Sequence, residues 1–265
     1  MNMKLGKLTN PLADISAEIK AANRMGFDFI EIGIEGPEGK TEILSKKKVR
    51  IAKLLKKYKM FAIGHTSWWF DLGSDYEPVR KAWIEEAKKA IVLCSELEIK
   101  LVNFHAHSNG MYMKSEKGKK IILRNLIGSL KEIVKFGRDI GIEIMLENMP
   151  DRGEVRDFED FKYIIDRVPG LKVHLDIGHA FINGGMNSVE NYIKTFSGKL
   201  YHIHIHDNHG SEDEHLPLGS ASIDYKKIIV MLKKIRYSKT MTFEIFTKDT
   251  DLLELSMKKV KKLMN

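Results

Sequence analysis

Residues 199–207, with the sequence Lys-Leu-Tyr-His-Ile-His-Ile-His-Asp, alternate polar and apolar side chains as a β-strand does. Because alternate residues of a strand point to the same face, His202, His204 and His206 share one side and the isoleucines between them share the other. The histidine face, with acids from neighbouring strands beside it, has the side chains that a divalent-metal site needs. This stretch therefore predicts one strand of a metal-binding enzyme.

The rest of the chain repeats this kind of strand, each followed by a longer amphipathic segment. Strands are predicted to begin near Met3, Phe27, Met60, Lys100, Ile142, Leu171, Lys199 and Thr240. Helices are predicted over residues 14–25, 43–58, 77–98, 116–140, 157–167, 187–197, 223–235 and 249–264. Strict strand–helix alternation predicts parallel pairing with right-handed crossovers. Eight such units predict an α/β fold with a single (βα)8 TIM barrel, as one domain over residues 1–265.

Missing motifs, the length of the apolar runs and the cysteine count disfavour several other classes of protein. An open doubly wound sheet is disfavoured because no Gly-x-Gly-x-x-Gly and no P-loop follows a predicted strand. No apolar run approaches the ~18 residues of a membrane span, and the first residues lack a secretory segment, so we expect a cytoplasmic protein without a membrane partner. Cys94 is the only cysteine, which excludes an internal disulfide and a thiolate metal cluster.

The net charge of +8 leaves a nucleic-acid partner open. The lysines, however, fall in helix-spaced runs mixed with glutamate, for example residues 46–48 and 258–262. Such runs are typical of solvated outer helix faces. Charge therefore adds little to the functional assignment.

The predicted ends of strands 3 to 8, with the loops that follow, all carry histidine, aspartate or glutamate. In a (βα)8 barrel these ends meet at the catalytic face. The set comprises His65, His105, Glu147, Asp176, His179, His204, Asp213, His215 and Glu244. Any one of these histidines could equally be a hydrogen-bonded structural residue, but nine such side chains at matching depth predict a metal site. Mixed ligands without cysteine suit zinc, manganese, cobalt or iron.

Several short motifs, in this order and spacing, resemble the xylose isomerase-like barrel superfamily. They are His65-x-x-Trp68-x-x-Asp71-Leu72, His105, Leu146-Glu147-Asn148, Leu175-Asp176-Ile177-Gly178-His179, His204-Ile205-His206-Asp207, Asp213-x-His215-x-x-Leu218-Gly219 and Phe243-Glu244. That superfamily holds the sugar isomerases and epimerases and the endonuclease IV group of DNA-repair enzymes. The resemblance therefore implies one of two chemistries.

In the epimerase branch, the resemblance implies one metal ion held by four side chains, Glu147, Asp176, His204 and Glu244. The metal would polarise a substrate carbonyl, and Glu147 and Glu244 would exchange a proton at the neighbouring carbon from opposite faces. In the endonuclease IV branch, all nine side chains of the set would hold three zinc ions around a phosphodiester. The expected cofactor is thus a divalent metal, zinc or manganese, with one to three ions.

Two departures favour the first branch. Residues 26–33 resemble the second strand of the sugar isomerases, and the following loop, residues 36–39, is acidic and lacks the arginine expected of a loop that enters DNA. The leading expectation is therefore a sugar or sugar-phosphate isomerase or epimerase. A zinc-dependent phosphodiesterase resembling endonuclease IV is the alternative, favoured by His65, His105 and the pair Asp213 and His215.

The remaining candidates concern the substrate. Trp68 could stack on a sugar or a base, or could pack as a lid, and Asn148 and His206 are candidate hydrogen-bond partners of the substrate. His179 is a third candidate catalytic residue beside Glu147 and Glu244. The expected partner is a small sugar, and a homo-oligomer stays open.

Overall fold

The computed structural model describes residues 2–107, 114–150, 155 and 157–264. Its eight strands all pair in parallel, in chain order, and the first pairs with the last. They are Lys4–Leu8 (β1), Phe29–Ile34 (β2), Phe61–Thr66 (β3), Leu101–His105 (β4), Glu143–Glu147 (β5), Lys172–Asp176 (β6), Leu200–Ile205 (β7) and Thr240–Phe243 (β8). The predicted (βα)8 barrel is confirmed.

The described residues form nine helices around the barrel. They are Ile15–Met25 (α1), Thr41–Tyr58 (α2), Glu77–Glu96 (α3), Glu116–Asp139 (α4), Phe158–Arg167 (α5), Ile177–Ile182 (α6), Gly185–Thr195 (α7), Tyr225–Lys234 (α8) and Thr250–Met264 (α9). The predicted eight helices lie within two residues of the observed ends. The additional helix is α6, which directly follows β6. Within the described ranges, no helix has the length and apolar character that crossing a membrane requires.

Local signals set the helix ends. Asp14 precedes α1, and its side chain accepts hydrogen bonds from the backbone N–H groups of Ser16 and Ala17. Such a cap satisfies donors that the first helical turn leaves free. Gly26 ends the same helix with φ of 80°, a left-handed conformation that glycine adopts without steric cost. The chain then turns directly into β2.

Among the described residues, two separate apolar clusters form the core. The large one lies between the outer face of the barrel and the helices. The small one lies inside the barrel and consists of Phe29, Ile63 and Met145, with Leu101 packed against it. The remaining interior is polar, with the buried side chains Glu31, Asn103, His174, His202 and His204. The polar groups of the site therefore lie next to a small apolar cluster inside the barrel, here called the apolar plug.

Candidate metal centre

The ends of β5, β6 and β8 and the body of β7 bring four side chains together in a buried cluster, here called the central group. Its members are Glu147, Asp176, His204 and Glu244, whose ligand atoms all lie within 4.8 Å of one another. His204 Nδ1 lies 2.9 Å from Glu244 Oε2 and 3.8 Å from both Glu147 Oε1 and Asp176 Oδ2. These are the four residues expected to hold a single metal, and that role stays a prediction.

Glu147 also belongs to a second cluster, with His65 and His105, here called the His65 group. The Nε2 atoms of His105 and His65 lie 3.1 and 3.4 Å from Glu147 Oε2. Asn103 donates its amide N–H to the same oxygen at 2.5 Å. Glu147 Oε2 is therefore enclosed by nitrogen atoms, while Oε1 is the oxygen that faces His204.

A third cluster, the loop group, contains His179, His206, Asp213 and His215. His179 Nδ1 donates to the backbone oxygen of Asn148 at 2.8 Å, and His215 Nδ1 donates to that of Glu244 at 3.0 Å. Because a carbonyl only accepts, each of these contacts requires a hydrogen on Nδ1. Each Nε2 then faces Asp213 Oδ2, at 3.1 and 3.0 Å. Metal-binding histidines are commonly oriented in this way.

A buried carboxylate builds the loop that carries Asp213 and His215. After β7 the chain folds back so that Asp207 and Leu216 exchange two backbone hydrogen bonds, at 2.8 and 2.9 Å. The Asp207 side chain accepts further hydrogen bonds from backbone N–H groups later in the loop. His215 has a φ of 49°, an uncommon conformation for a residue other than glycine. The fold-back brings Asp213 and His215 beside His179 of α6.

The charges within the clusters compensate each other. Burial raises the pKa of Glu147, but His174 and His105 lower that pKa well below its usual range. Burial raises the pKa of Glu244 as well, and His204 and His215 lower it. Burial lowers the pKa of His215, but Glu244 and Asp213 raise it to about 9. Both glutamates are therefore ionised at neutral pH.

The donor set fits a divalent cation. Asp176 Oδ2 is buried and has no hydrogen-bond partner among the residues that the structure describes. An unpaired buried carboxylate oxygen is costly unless a cation satisfies it. Two glutamates, an aspartate and a histidine around one point are ligands that zinc and manganese accept.

Three side chains are expected to contact the substrate, namely Trp68, Asn148 and His206. Trp68 is the one of the three that lines the cavity. Trp68 is 50% exposed and lines a cavity of about 1000 Å³ above the central group, together with Glu147 and Glu244. Asn148 is fully buried: its amide donates to the backbone oxygen of Asp176 at 3.0 Å and accepts from the N–H of Asp176 at 2.9 Å. His206 is also fully buried, with Nε2 3.3 Å from Asp176 Oδ1 and 3.5 Å from Asp213 Oδ1. Both side chains thus support the clusters, and a contact of either one with the substrate stays a prediction.

Sequence reasoning did not single out three polar side chains near the site. Glu31 and Asn103 point into the barrel at zero exposure, each on a strand that alternates inward and outward residues. Glu35 lines the cavity, and burial raises its pKa. The alternation along β2, in which Glu31 stands between Ile30 and Ile32, was the available signal for Glu31. His174 and His202 also lie inside the barrel at zero exposure.

A closed barrel that gathers carboxylates and imidazoles at the C-terminal ends of its strands is the architecture of a (βα)8 enzyme. The chain belongs to the xylose isomerase-like TIM barrel family, whose model matches residues 19–263, so the predicted resemblance is confirmed. Among its relatives are sugar epimerases. The chain is 23% identical over 256 residues to fructoselysine 3-epimerase of Shigella flexneri, covering 92% of this chain and 91% of that protein.

Two further comparisons cover nearly the whole chain. The uncharacterized protein MJ1614 of Methanocaldococcus jannaschii is 29% identical over 262 residues, which is 99% of this chain and 100% of that protein. The crystal structure of a D-tagatose 3-epimerase-like protein superposes with a TM-score of 0.86 at 28% identity, covering 99% of this chain and 98% of that one.

Proposed function

We propose that the protein is a divalent-metal-dependent sugar epimerase or isomerase that moves a proton at the carbon beside a ketose carbonyl. The observation that carries the proposal is the central group, in which two ionised carboxylates, Glu147 and Glu244, converge with Asp176 and His204. The sugar epimerases among the relatives support the same reaction class.

Each member of the central group has a role in this proposal. A divalent metal held by the four side chains would polarise the carbonyl and hydroxyl oxygens of a bound ketose. One of the two glutamates removes the proton from one face of the carbon, and the other returns it on the opposite face. Asn103 donates to Glu147 Oε2, and Oε1 faces His204, so the contacts of both oxygens hold the carboxylate in place. His179 has both ring nitrogens engaged and is therefore assigned to the loop group and not to proton transfer.

The cavity above the central group is suited to a sugar. Its volume of about 1000 Å³ is at the upper end of the range for small-molecule sites. The exposed indole of Trp68 offers a flat apolar face to the C–H groups of a sugar, while Glu35 offers a polar contact. A ketose, free or phosphorylated, is the proposed substrate.

Solvent-proton exchange tests the proposal. The manganese-loaded protein is incubated in D2O with a panel of ketoses and ketose phosphates that begins with D-tagatose, and deuterium at the carbon beside the carbonyl is measured by NMR. We expect exchange in the wild type and a loss of about 10²- to 10⁴-fold in Glu244→Gln and Glu147→Gln. Retention of the rate within about tenfold in Glu244→Gln would contradict the assignment.

Glu143→Gln is the matched control for these two variants. Glu143 lies at the opposite end of β5 from Glu147, and its half-exposed side chain pairs with Lys172 Nζ at 3.2 Å. Its loss removes one carboxylate from the same strand without touching the central group. We expect an unchanged exchange rate.

One specific observation favours a second candidate function, a zinc-dependent phosphodiesterase. The three clusters adjoin one another, and in the loop group the Nε2 atoms of His179 and His215 both face Asp213. The candidate ligands in these clusters outnumber the four that a single metal for proton transfer at carbon would need. Three zinc ions per chain by elemental analysis, with nicking of a duplex that carries an abasic site, would favour this candidate. One ion per chain and no nicking would favour the epimerase.

A further inference from the structure

Glu31 lies inside the barrel directly behind His204, on the side away from the rest of the central group. Its Oε2 atom accepts hydrogen bonds from His204 Nε2 at 2.8 Å and from His202 Nε2 at 3.0 Å. All three side chains have zero exposure. A carboxylate in such a place is costly unless it compensates a specific charge or donor.

The contact with Glu31 engages one ring nitrogen of His204, Nε2, which faces away from the rest of the central group. A carboxylate only accepts hydrogen bonds, so the nitrogen that faces Glu31 carries a hydrogen. The opposite nitrogen, Nδ1, is the atom that faces Glu244, Glu147 and Asp176. Without a metal, Nδ1 also donates to Glu244 Oε2, at 2.9 Å. A bound metal would take the place of this Nδ1 hydrogen, while Glu31 keeps the hydrogen on Nε2.

Glu31 is itself held in place by a second histidine. His202 approaches Glu31 with Nε2, and its Nδ1 lies 2.7 Å from Thr240 Oγ1 on β8. Thr240 in turn donates to the backbone oxygen of Tyr201 at 3.2 Å. These contacts connect the Glu31 carboxylate to β7 and β8. They restrict its rotation away from His204.

We propose that Glu31 is a positioning residue that presents His204 Nδ1 to the metal and strengthens it as a ligand through the carboxylate charge behind the ring. The inference rests on the proposed metal site, but not on the identity of the substrate. Carboxylates that support a metal-binding histidine commonly contribute about 10- to 100-fold to metal affinity.

A double-mutant cycle tests the proposal with metal affinity as its readout. Manganese binding is measured by isothermal titration calorimetry for the wild type, Glu31→Gln, His204→Gln and the double variant. Glutamine keeps the shape and one acceptor oxygen but removes the charge. We expect Glu31→Gln to weaken binding about 10- to 100-fold, and to have no further effect once His204 is replaced. An affinity within about threefold of wild type, or an equal loss in both backgrounds, would overturn the proposal.

A second measurement needs no variant at position 31. Long-range proton–nitrogen NMR of the zinc-loaded wild-type protein, with His204 assigned by its absence from His204→Gln, reports which ring nitrogen carries the hydrogen. We expect hydrogen on Nε2 and metal on Nδ1. The reverse arrangement, or no binding of either metal, would refute the inference. Metal binding with this tautomer but without ketose turnover would refute the proposed function alone.

Discussion

Asp207 organises the loop after β7 with one side chain. It is fully buried, and its Oδ1 accepts from the backbone N–H groups of Asn208 and Ile223 at 3.0 and 2.9 Å. Its Oδ2 accepts from those of Gly219 and Ala221 at 2.8 and 3.0 Å. Four donors spread over the loop thus meet at one carboxylate, and this loop carries two side chains of the loop group.

We predict that Asp207→Asn lowers the free energy of unfolding by about 2 to 4 kcal/mol, because the amide has one acceptor oxygen and turns an N–H group toward buried donors. Urea denaturation measures the change. Asp224→Asn is the matched control: Asp224 caps α8 by accepting from the N–H of Lys227 at 3.0 Å, and asparagine caps a helix about as well. Equal losses in the two variants would contradict this role for Asp207.

His215 links the stability of the metal-free protein to pH. Its pKa is raised from 6.5 to about 9, so its protonated ring stabilises the fold fully below pH ~6.5, and this contribution is lost as the pH rises through about 9. With about 1.4 kcal/mol per pKa unit, the loss is on the order of 3 kcal/mol. Urea denaturation with a chelator, at pH 6 and pH 9.5, should show a smaller decline in His215→Gln than in the wild type. Identical declines would contradict the prediction.

The sequence predicted the central group because its members lie at or near the C-terminal ends of predicted strands, and parallel strands end at the same face. It could not supply the orientation of residues just beyond a strand. Asn148 directly follows Glu147, so the alternation of a strand turns it away from the ligand, and it pairs with the backbone of Asp176 instead. His206 is enclosed by α6, which the sequence did not reveal.

At the scale of elements, α6 positions His179 beside the loop that follows β7. Asp176 caps this helix by accepting from the N–H of His179 at 2.6 Å, and the helix carries His179 toward Asp213. Gly178 in its first turn leaves room for the ring of His206, since a Cβ atom there would lie 2.0 Å from His206 Cε1. Helix α6 can therefore pack against His206 only because residue 178 is a glycine.

We predict that Gly178→Ala costs about 1 to 3 kcal/mol of unfolding free energy, because the methyl group displaces the His206 ring from between Asp176 and Asp213. The matched control is Gly128→Ala within α4, where an added Cβ meets no atom within 4 Å. Alanine favours a helix interior over glycine by up to about 1 kcal/mol, so this variant should be neutral or more stable. Urea denaturation compares the two, and a stability gain in Gly178→Ala would contradict the close packing.

The helices and strands were predicted correctly where the periodic pattern of apolar residues was long enough to recognise. The eight long helices each span more than two turns, so their apolar period identified them, and the strands were marked by short β-branched or apolar runs. The six residues of α6 span too few turns to show a helical period, and its first turn is set by the Asp176 cap. The helix was therefore found only in the structure.

At the scale of the whole molecule, the apolar core and the site occupy different sides of the same barrel wall. Outward side chains of the strands join the helices in the large core, whereas the inward ones form a small apolar plug and a polar interior. Strand count and alternation predicted closure of the barrel. The sequence did not predict that Glu31 and Asn103 belong to the polar interior. In the structure, the strand register places both residues at the level of the histidines.

Such an interior should make stability depend on the metal. Anionic side chains of the central group, Glu147, Asp176 and Glu244, are buried within 4.8 Å of one another, and a cation offsets their repulsion. At free metal about 100 times the dissociation constant, binding adds about 2.7 kcal/mol, which raises the melting temperature of a chain of this size by roughly 5–10 °C. Differential scanning calorimetry with manganese or zinc, against a chelator, measures the increase.

Asp176→Asn makes this prediction specific to the central group. Asparagine keeps the helix cap of α6 but removes an anionic ligand, so the variant should fold and lose most of the metal-induced increase in melting temperature. Glu143→Gln, on the outer end of β5, should keep the full increase. If Asp176→Asn gains as much as the wild type, the metal binds elsewhere and the central group does not hold it.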